Sequence, residues 1–125
     1  MKANSNIDTG NRGERLAVSH LLSNGYSVLE RNFRSKGGEV DIVAKDKDST
    51  IVFVEVKSRK SLIFGLPQMA VTPRKQRQIS KGALTWLSKN NLHNNAARFD
   101  VIAILLINEV SFEIEHIVNA FDLNY

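Results

Sequence analysis

The 125-residue chain contains no cysteine. Structural disulfides and thiolate-bound zinc or iron–sulfur centres are therefore excluded, as suits a reducing cytoplasm. No run approaches the roughly 18 apolar residues of a membrane span, and the polar stretch from Met1 to Glu14 lacks the apolar core of a secretory signal. A soluble, cytoplasmic protein with no membrane partner is expected. Repeats, low-complexity tracts and linkers rich in Pro, Gly or Ser are missing too, so the expectation is one domain over residues 1–125, loose over 1–10. The three histidines, His20, His93 and His116, lack ligand spacing, and none is assigned to a metal. Gly10-Asn11-Arg12-Gly13 lacks the Lys-Ser/Thr ending of a phosphate loop, and Gly13 is read as a helix start.

What is present is lopsided charge. Residues 1–81 carry 15 Lys and Arg against 8 Asp and Glu, whereas residues 82–125 carry 2 against 5. A basic body suits a polyanionic partner, although on charge alone a solvated basic surface explains it slightly better.

Hydrophobic periodicity gives the order α-β-β-β-α-β-β. Leu16, Ala17, Leu21 and Leu22 form a helical stripe over Gly13 to Asn24, with Gly25 as the stop. Strands are expected over Tyr26 to Phe33, Glu39 to Lys45 and Ile51 to Ser58, as an antiparallel meander with turns at Gly37-Gly38 and Asp46-Lys47-Asp48. A second helix should start at Pro73 and run to about Lys89, burying Ile79, Ala83, Trp86 and Leu87. The apolar run Phe99 to Ile107 reads as a buried strand, and Val110 to Ile117 as a more exposed one. The fold class is α/β (α+β): a central mixed sheet flanked by helices.

Two of these strands carry acids inside apolar runs: Glu39-Val40-Asp41-Ile42-Val43 and Val52-Phe53-Val54-Glu55-Val56-Lys57. Alternation groups Val40, Ile42 and Ala44 on one face against Glu39, Asp41 and Val43, and Val52, Val54 and Val56 against Phe53, Glu55 and Lys57. Paired as a hairpin, the strands bring Asp41 and Glu55 together. Two close carboxylates repel, and one or two of them with waters and substrate phosphate describe a Mg²⁺ or Mn²⁺ site. Lys57 on the same side could hold a phosphate oxygen. An isolated Glu-x-Lys is more often an ordinary cross-strand ion pair; the preceding Glu39-x-Asp41 tips the balance toward the metal site.

With these residues the chain resembles the PD-(D/E)xK nuclease superfamily, and within it the YraN-type bacterial family that looks like archaeal Holliday-junction resolvases. The resemblance spans about 90 residues, from Gly10-Asn11-Arg12-Gly13-Glu14 through Arg31-Asn32-Phe33-Arg34, Gly38-Glu39-Val40-Asp41-Ile42-Val43, Val52-Phe53-Val54-Glu55-Val56-Lys57-Ser58-Arg59, Phe64-Gly65-Leu66-Pro67 and Ala70-Val71 to Arg98-Phe99-Asp100-Val101-Ile102. It implies a restriction-endonuclease-like core of order α-β-β-β-α-β, with the C-terminal strand as an addition. It makes Asp41 and Glu55 the metal-binding acids, Lys57 the motif lysine, Glu14 a helix glutamate near the metal, and the Val56 carbonyl a further ligand. Val40 stands where the superfamily name has proline. By analogy with resolvases that cut two strands symmetrically, it also suggests a homodimer.

The expected activity is metal-dependent endonucleolytic cleavage of DNA, including branched or structured DNA; the alternative is a non-catalytic nucleic-acid-binding protein that keeps the fold. Arg31, Arg34, Lys36, Arg59, Lys60 and Arg74 are candidate phosphate contacts. Lys75 and Gln78 are expected to turn toward the site, and Phe64 to stack on a base or pack against the sheet.

Overall fold

A computed structural model describes residues 5–60 and 71–124. Helix α1 (Ser5–Ser23) precedes three strands, β1 (Ser27–Ser35), β2 (Gly38–Lys45) and β3 (Ile51–Arg59), followed by helix α2 (Pro73–Lys89) and strands β4 (Ala97–Leu106) and β5 (Phe112–Phe121). The five strands form one sheet in sequence order. β1, β2 and β3 make the expected antiparallel meander. β4 runs parallel to β3, a pairing that requires the crossover through α2, and β5 returns antiparallel. Fold class and element order are as expected, α+β with the order α-β-β-β-α-β-β around one mixed sheet.

Each helix covers one face of the sheet. Ile79, Ala83, Trp86 and Leu87 of α2 pack on Phe33, Val40, Val43, Phe53 and Phe99. Ala17 and Leu21 of α1 pack on Ile42, Ala44, Val52, Val54, Ile102 and Ile104. β3 and β4, buried on both faces, are accordingly almost uninterrupted apolar runs.

The expected alternation fails in β2. Val40 packs with Val43 on the α2 side rather than with Ile42 and Ala44 on the α1 side. The cause is a fork: the β2–β3 ladder ends at the Ile42–Val54 pair, and N-terminal to it β2 leaves β3. Period-two reasoning presumes a continuous ladder, and here it stops next to Asp41.

Helix α1 begins at Ser5, so residues 5–10, expected to be loose, are helical, and Gly13 lies inside the helix rather than at its start. These first turns lack an apolar stripe, so periodicity could not report them. Gly13 serves instead for close approach: a Cβ there would collide with the Ser58 side chain of β3. Gly38 and Gly82 do the same for α2 on β2, where a Cβ on Gly38 would run into the Gly82 backbone. Gly38 is therefore a strand residue, and Lys36-Gly37, with Gly37 at φ 79°, makes the turn. The stop at Gly25 is as expected: its φ is 86°, and the Tyr26 N–H reaches back to the Leu21 carbonyl at 3.0 Å, closing a Schellman turn. Among the described residues no helix is long and apolar enough to cross a membrane.

Candidate active site

The fork opens a cleft of about 480 Å³ lined by Thr9, Gly10, Asn11 and Glu14 of α1, Asn32 and Arg34 of β1, Asp41 of β2, and Val56 to Arg59 of β3. Asp41 bridges the separated strands, its Oδ2 accepting the Val56 N–H at 2.8 Å. A side-chain carboxylate thus takes the acceptor position that a continuing ladder would have given to a backbone carbonyl.

Glu55 lies beneath, only 3% exposed. Its Oε2 is 3.4 Å from Lys57 Nζ and 3.7 Å from Lys75 Nζ. Its Oε1 is buried without a hydrogen-bond partner among the described residues. Burial, followed by the charge of Asp41, pushes its carboxyl up to about 8. Arg59 Nε is likewise buried without a partner among the described residues. Among the described residues one carboxylate oxygen, which favours a cation, and one guanidinium N–H, which favours an anion, are thus unmatched.

Lys75 reaches this site from the first turn of α2. Thr72 caps that helix, its Oγ1 accepting the Lys75 N–H at 3.2 Å, and Pro73 occupies the first turn. The Lys75 ammonium donates to Glu39 Oε1 at 2.6 Å. Burial alone would lower its pKa, but the Glu39 hydrogen bond and the Glu55 charge raise it. That hydrogen bond also holds the Glu39 carboxyl below its ordinary range. No acid lies in the first turn of α2, which instead presents Arg74 and Lys75. Positive charge opposes the helix dipole there, and the acids that compensate Lys75 come from β2 and β3.

Glu14 is held from β1. Arg31 donates to its Oε1 through Nε and Nη2 at 3.2 and 3.1 Å, and Asn32 Nδ2 donates at 3.0 Å. Asn32 adopts a left-handed backbone with φ 54°, a conformation that asparagine tolerates better than most residues.

Of the sequence-predicted residues, Glu14, Asp41, Lys57, Arg34 and Arg59 line the cleft, and Glu55 lies 3.4 Å from Lys57. Gln78 and Arg34 line an adjoining hollow with Ser35, Gly38 and Glu39. Arg31, expected as a phosphate contact, is paired with Glu14. Lys36 and Arg74 are exposed outside both hollows, and Lys60 lines a separate one with Arg12 and Asn108. Phe64 lies outside the described residues.

Sequence reasoning missed Asn32, whose only signal was its place in Arg31-Asn32-Phe33-Arg34. It also missed a polar network on the α1 side of the sheet. Fully buried Asp100 accepts from Arg98 Nε at 3.0 Å, from the Asn119 N–H at 2.9 Å and from His116 Nε2 at 2.7 Å. Arg98 also donates to Asp46 Oδ2 at 2.6 Å and to the Tyr26 hydroxyl at 2.9 Å. His20 Nε2 lies 3.1 Å from His116 Nδ1. Two histidines 96 positions apart, one on α1 and one on β5, meet in the folded chain, a contact that no linear spacing announces.

The fold and this cleft define the class: an α+β domain with a five-stranded mixed sheet whose central strands fork beside two carboxylates and a lysine. The chain belongs to the family described as Uncharacterised protein family UPF0102, which it matches over residues 13–104. It is 63% identical over 120 residues to a UPF0102 protein of Trichlorobacter lovleyi, covering 96% of this chain and 94% of that one. To a UPF0102 protein of Pelobacter propionicus it is 62% identical over 121 residues, covering 96% and 86%. Among solved structures it is similar to an EndoMS–dsDNA2 complex, with a TM-score of 0.41 and 20% identity over 70% of this chain and 34% of that one. A likeness so distant carries no weight for function.

Proposed function

We propose that this protein is a divalent-metal-dependent endonuclease that hydrolyses phosphodiester bonds in DNA. One observation carries the reading: a Glu55 oxygen and an Arg59 N–H, both without a hydrogen-bond partner among the described residues, are buried at one strand fork beside Asp41 and Lys57. A cation matches the first and a phosphate the second.

The residues present fit Mg²⁺ or Mn²⁺. Among the described residues no three His, Asp or Glu side chains converge as a complete ligand set. Such ions commonly use one or two carboxylates and complete their shell with water and substrate phosphate, so Asp41 and Glu55 suffice, with the Val56 carbonyl as a further donor. When bound, the ion supplies charge stabilisation for in-line attack of water on phosphorus. Lys57 stabilises negative charge developing on the phosphoryl oxygens. Glu14, fixed by Arg31 and Asn32, orients the attacking water. Arg34, Arg59 and Gln78 hold the flanking phosphates.

A non-catalytic, nucleic-acid-binding role is favoured by a different feature: Lys57 and Lys75 already bring two positive charges to Glu55. Incubation of the protein with labelled single-stranded, duplex, flap and four-way DNA in Mg²⁺ or Mn²⁺ separates the two readings. Cutting that disappears in Glu55→Ala supports the nuclease. Binding without Glu55-dependent cutting on every substrate supports the alternative.

A further inference from the structure

Lys75 stands where a cation of the site would be useful, and it does so at a cost. Its ammonium is partly buried, and it lies in the first turn of α2, where positive charge opposes the helix dipole and no acid of that turn compensates. What holds it there is Glu39 at 2.6 Å, with Glu55 at 3.7 Å. The hydrogen bond belongs to Glu39, so the contact with Glu55 is mainly one of charge. Lys57 already supplies one ammonium to the same oxygen at 3.4 Å.

We propose that Lys75 is a built-in competitor of the divalent ion. Tethered by Glu39, it holds its positive charge beside Glu55 in the free protein and is drawn off by substrate phosphate, so that ion and phosphodiester bind cooperatively. This inference rests on the metal-dependent reading above. An ammonium beside Glu55 opposes the approach of a divalent ion to the same carboxylate. The hollow lined by Arg34, Gln78 and Glu39 adjoins the Lys75–Glu39 pair. A phosphate held there offers Lys75 a second anion and loosens its grip on the acids. Linkage requires the reverse effect to be equal: whatever factor phosphate adds to ion affinity, the ion adds to phosphate affinity.

Calorimetric titration of Mn²⁺ into the full chain, with and without a short phosphorothioate duplex, tests the proposal. Without DNA, Lys75→Met should bind Mn²⁺ about tenfold tighter than wild type, while Lys75→Arg should match wild type. The duplex should tighten Mn²⁺ binding by both proteins, because its phosphate completes the ion's shell, but by a larger factor in wild type than in Lys75→Met. If Lys75→Met does not fold, Lys75→Gln, which keeps a donor for Glu39, should give the same gain. Equal or weaker Mn²⁺ binding by the charge-removing variant overturns the role of Lys75 alone. Absence of Mn²⁺ uptake by wild type and every variant, with or without DNA, overturns the metal-dependent reading and this inference with it.

Discussion

Asp41 Oδ2 accepts the Val56 N–H at 2.8 Å where the β2–β3 ladder has stopped. The aspartate therefore closes the fork structurally and contributes charge to the site. These roles separate by substitution. Asp41→Asn keeps an acceptor for Val56 and should stay within about 1 kcal/mol of wild type, whereas Asp41→Ala strands a partly buried N–H at a cost of about 1–3 kcal/mol. Denaturant unfolding should rank them in that order, while both lose Mn²⁺ binding.

Glu55 makes stability depend on pH in an unusual direction. Its carboxyl, pushed up to about 8, holds its proton in the folded chain over a range in which the unfolded chain has released it. The folded state then binds more protons, so stability falls as pH rises from the ordinary carboxylate range toward about 8. Glu55→Gln, a neutral stand-in for the protonated acid, should remove this slope and exceed wild type in stability at about pH 8.5. Mn²⁺ should restore the wild type there. Denaturant unfolding at a series of pH values checks all three.

Gly13 lets α1 approach β3 beside Glu14, since a Cβ at this position would lie 2.9 Å from Ser58 Cβ and closer still to Ser58 Oγ. Helix propensity predicts that Gly13→Ala stabilises by about 1 kcal/mol. The collision predicts instead a loss of about 1–3 kcal/mol, largely recovered in Gly13→Ala/Ser58→Gly. A double-mutant cycle in urea measures the coupling.

Most of the fold was legible because its signals are local. Pro73 after Thr72, Gly25 after the α1 stripe and the unbroken apolar run of β4 each act within a few residues. The nearness of Asp41 and Glu55 was legible because acids are conspicuous inside apolar strands. Neither the fork at Asp41, which breaks alternation and turns Val40 to the α2 side, nor the meeting of His20 with His116 could be read. Both depend on which strand lies beside which, and on where pairing stops.

The Asp100 network predicts a structural rather than a catalytic phenotype. Burial alone would raise its pKa, but the His116 and Arg98 hydrogen bonds hold the Asp100 carboxyl below its ordinary range. Asp100→Ala would leave Arg98 partly buried with Asp46 as its remaining acid partner, and a loss of about 3–5 kcal/mol is expected. The depressed pKa means that this stabilisation is present above the ordinary aspartate range and is lost as pH falls through the folded-state value. Thermal unfolding of wild type and Asp100→Ala near neutrality and in acid should show the gap narrowing at low pH.

The central claim is that Asp41, Glu55 and Lys57 form a hydrolytic site. Its most direct test is the single-turnover cleavage rate in Mn²⁺ on the DNA form that wild type cuts best, compared with Glu55→Gln and Lys57→Ala preparations shown to be folded. Loss of about 10²–10³-fold or more in each variant is predicted. Cleavage at the wild-type rate by either variant, or no cleavage of any DNA form by wild type, would contradict the account.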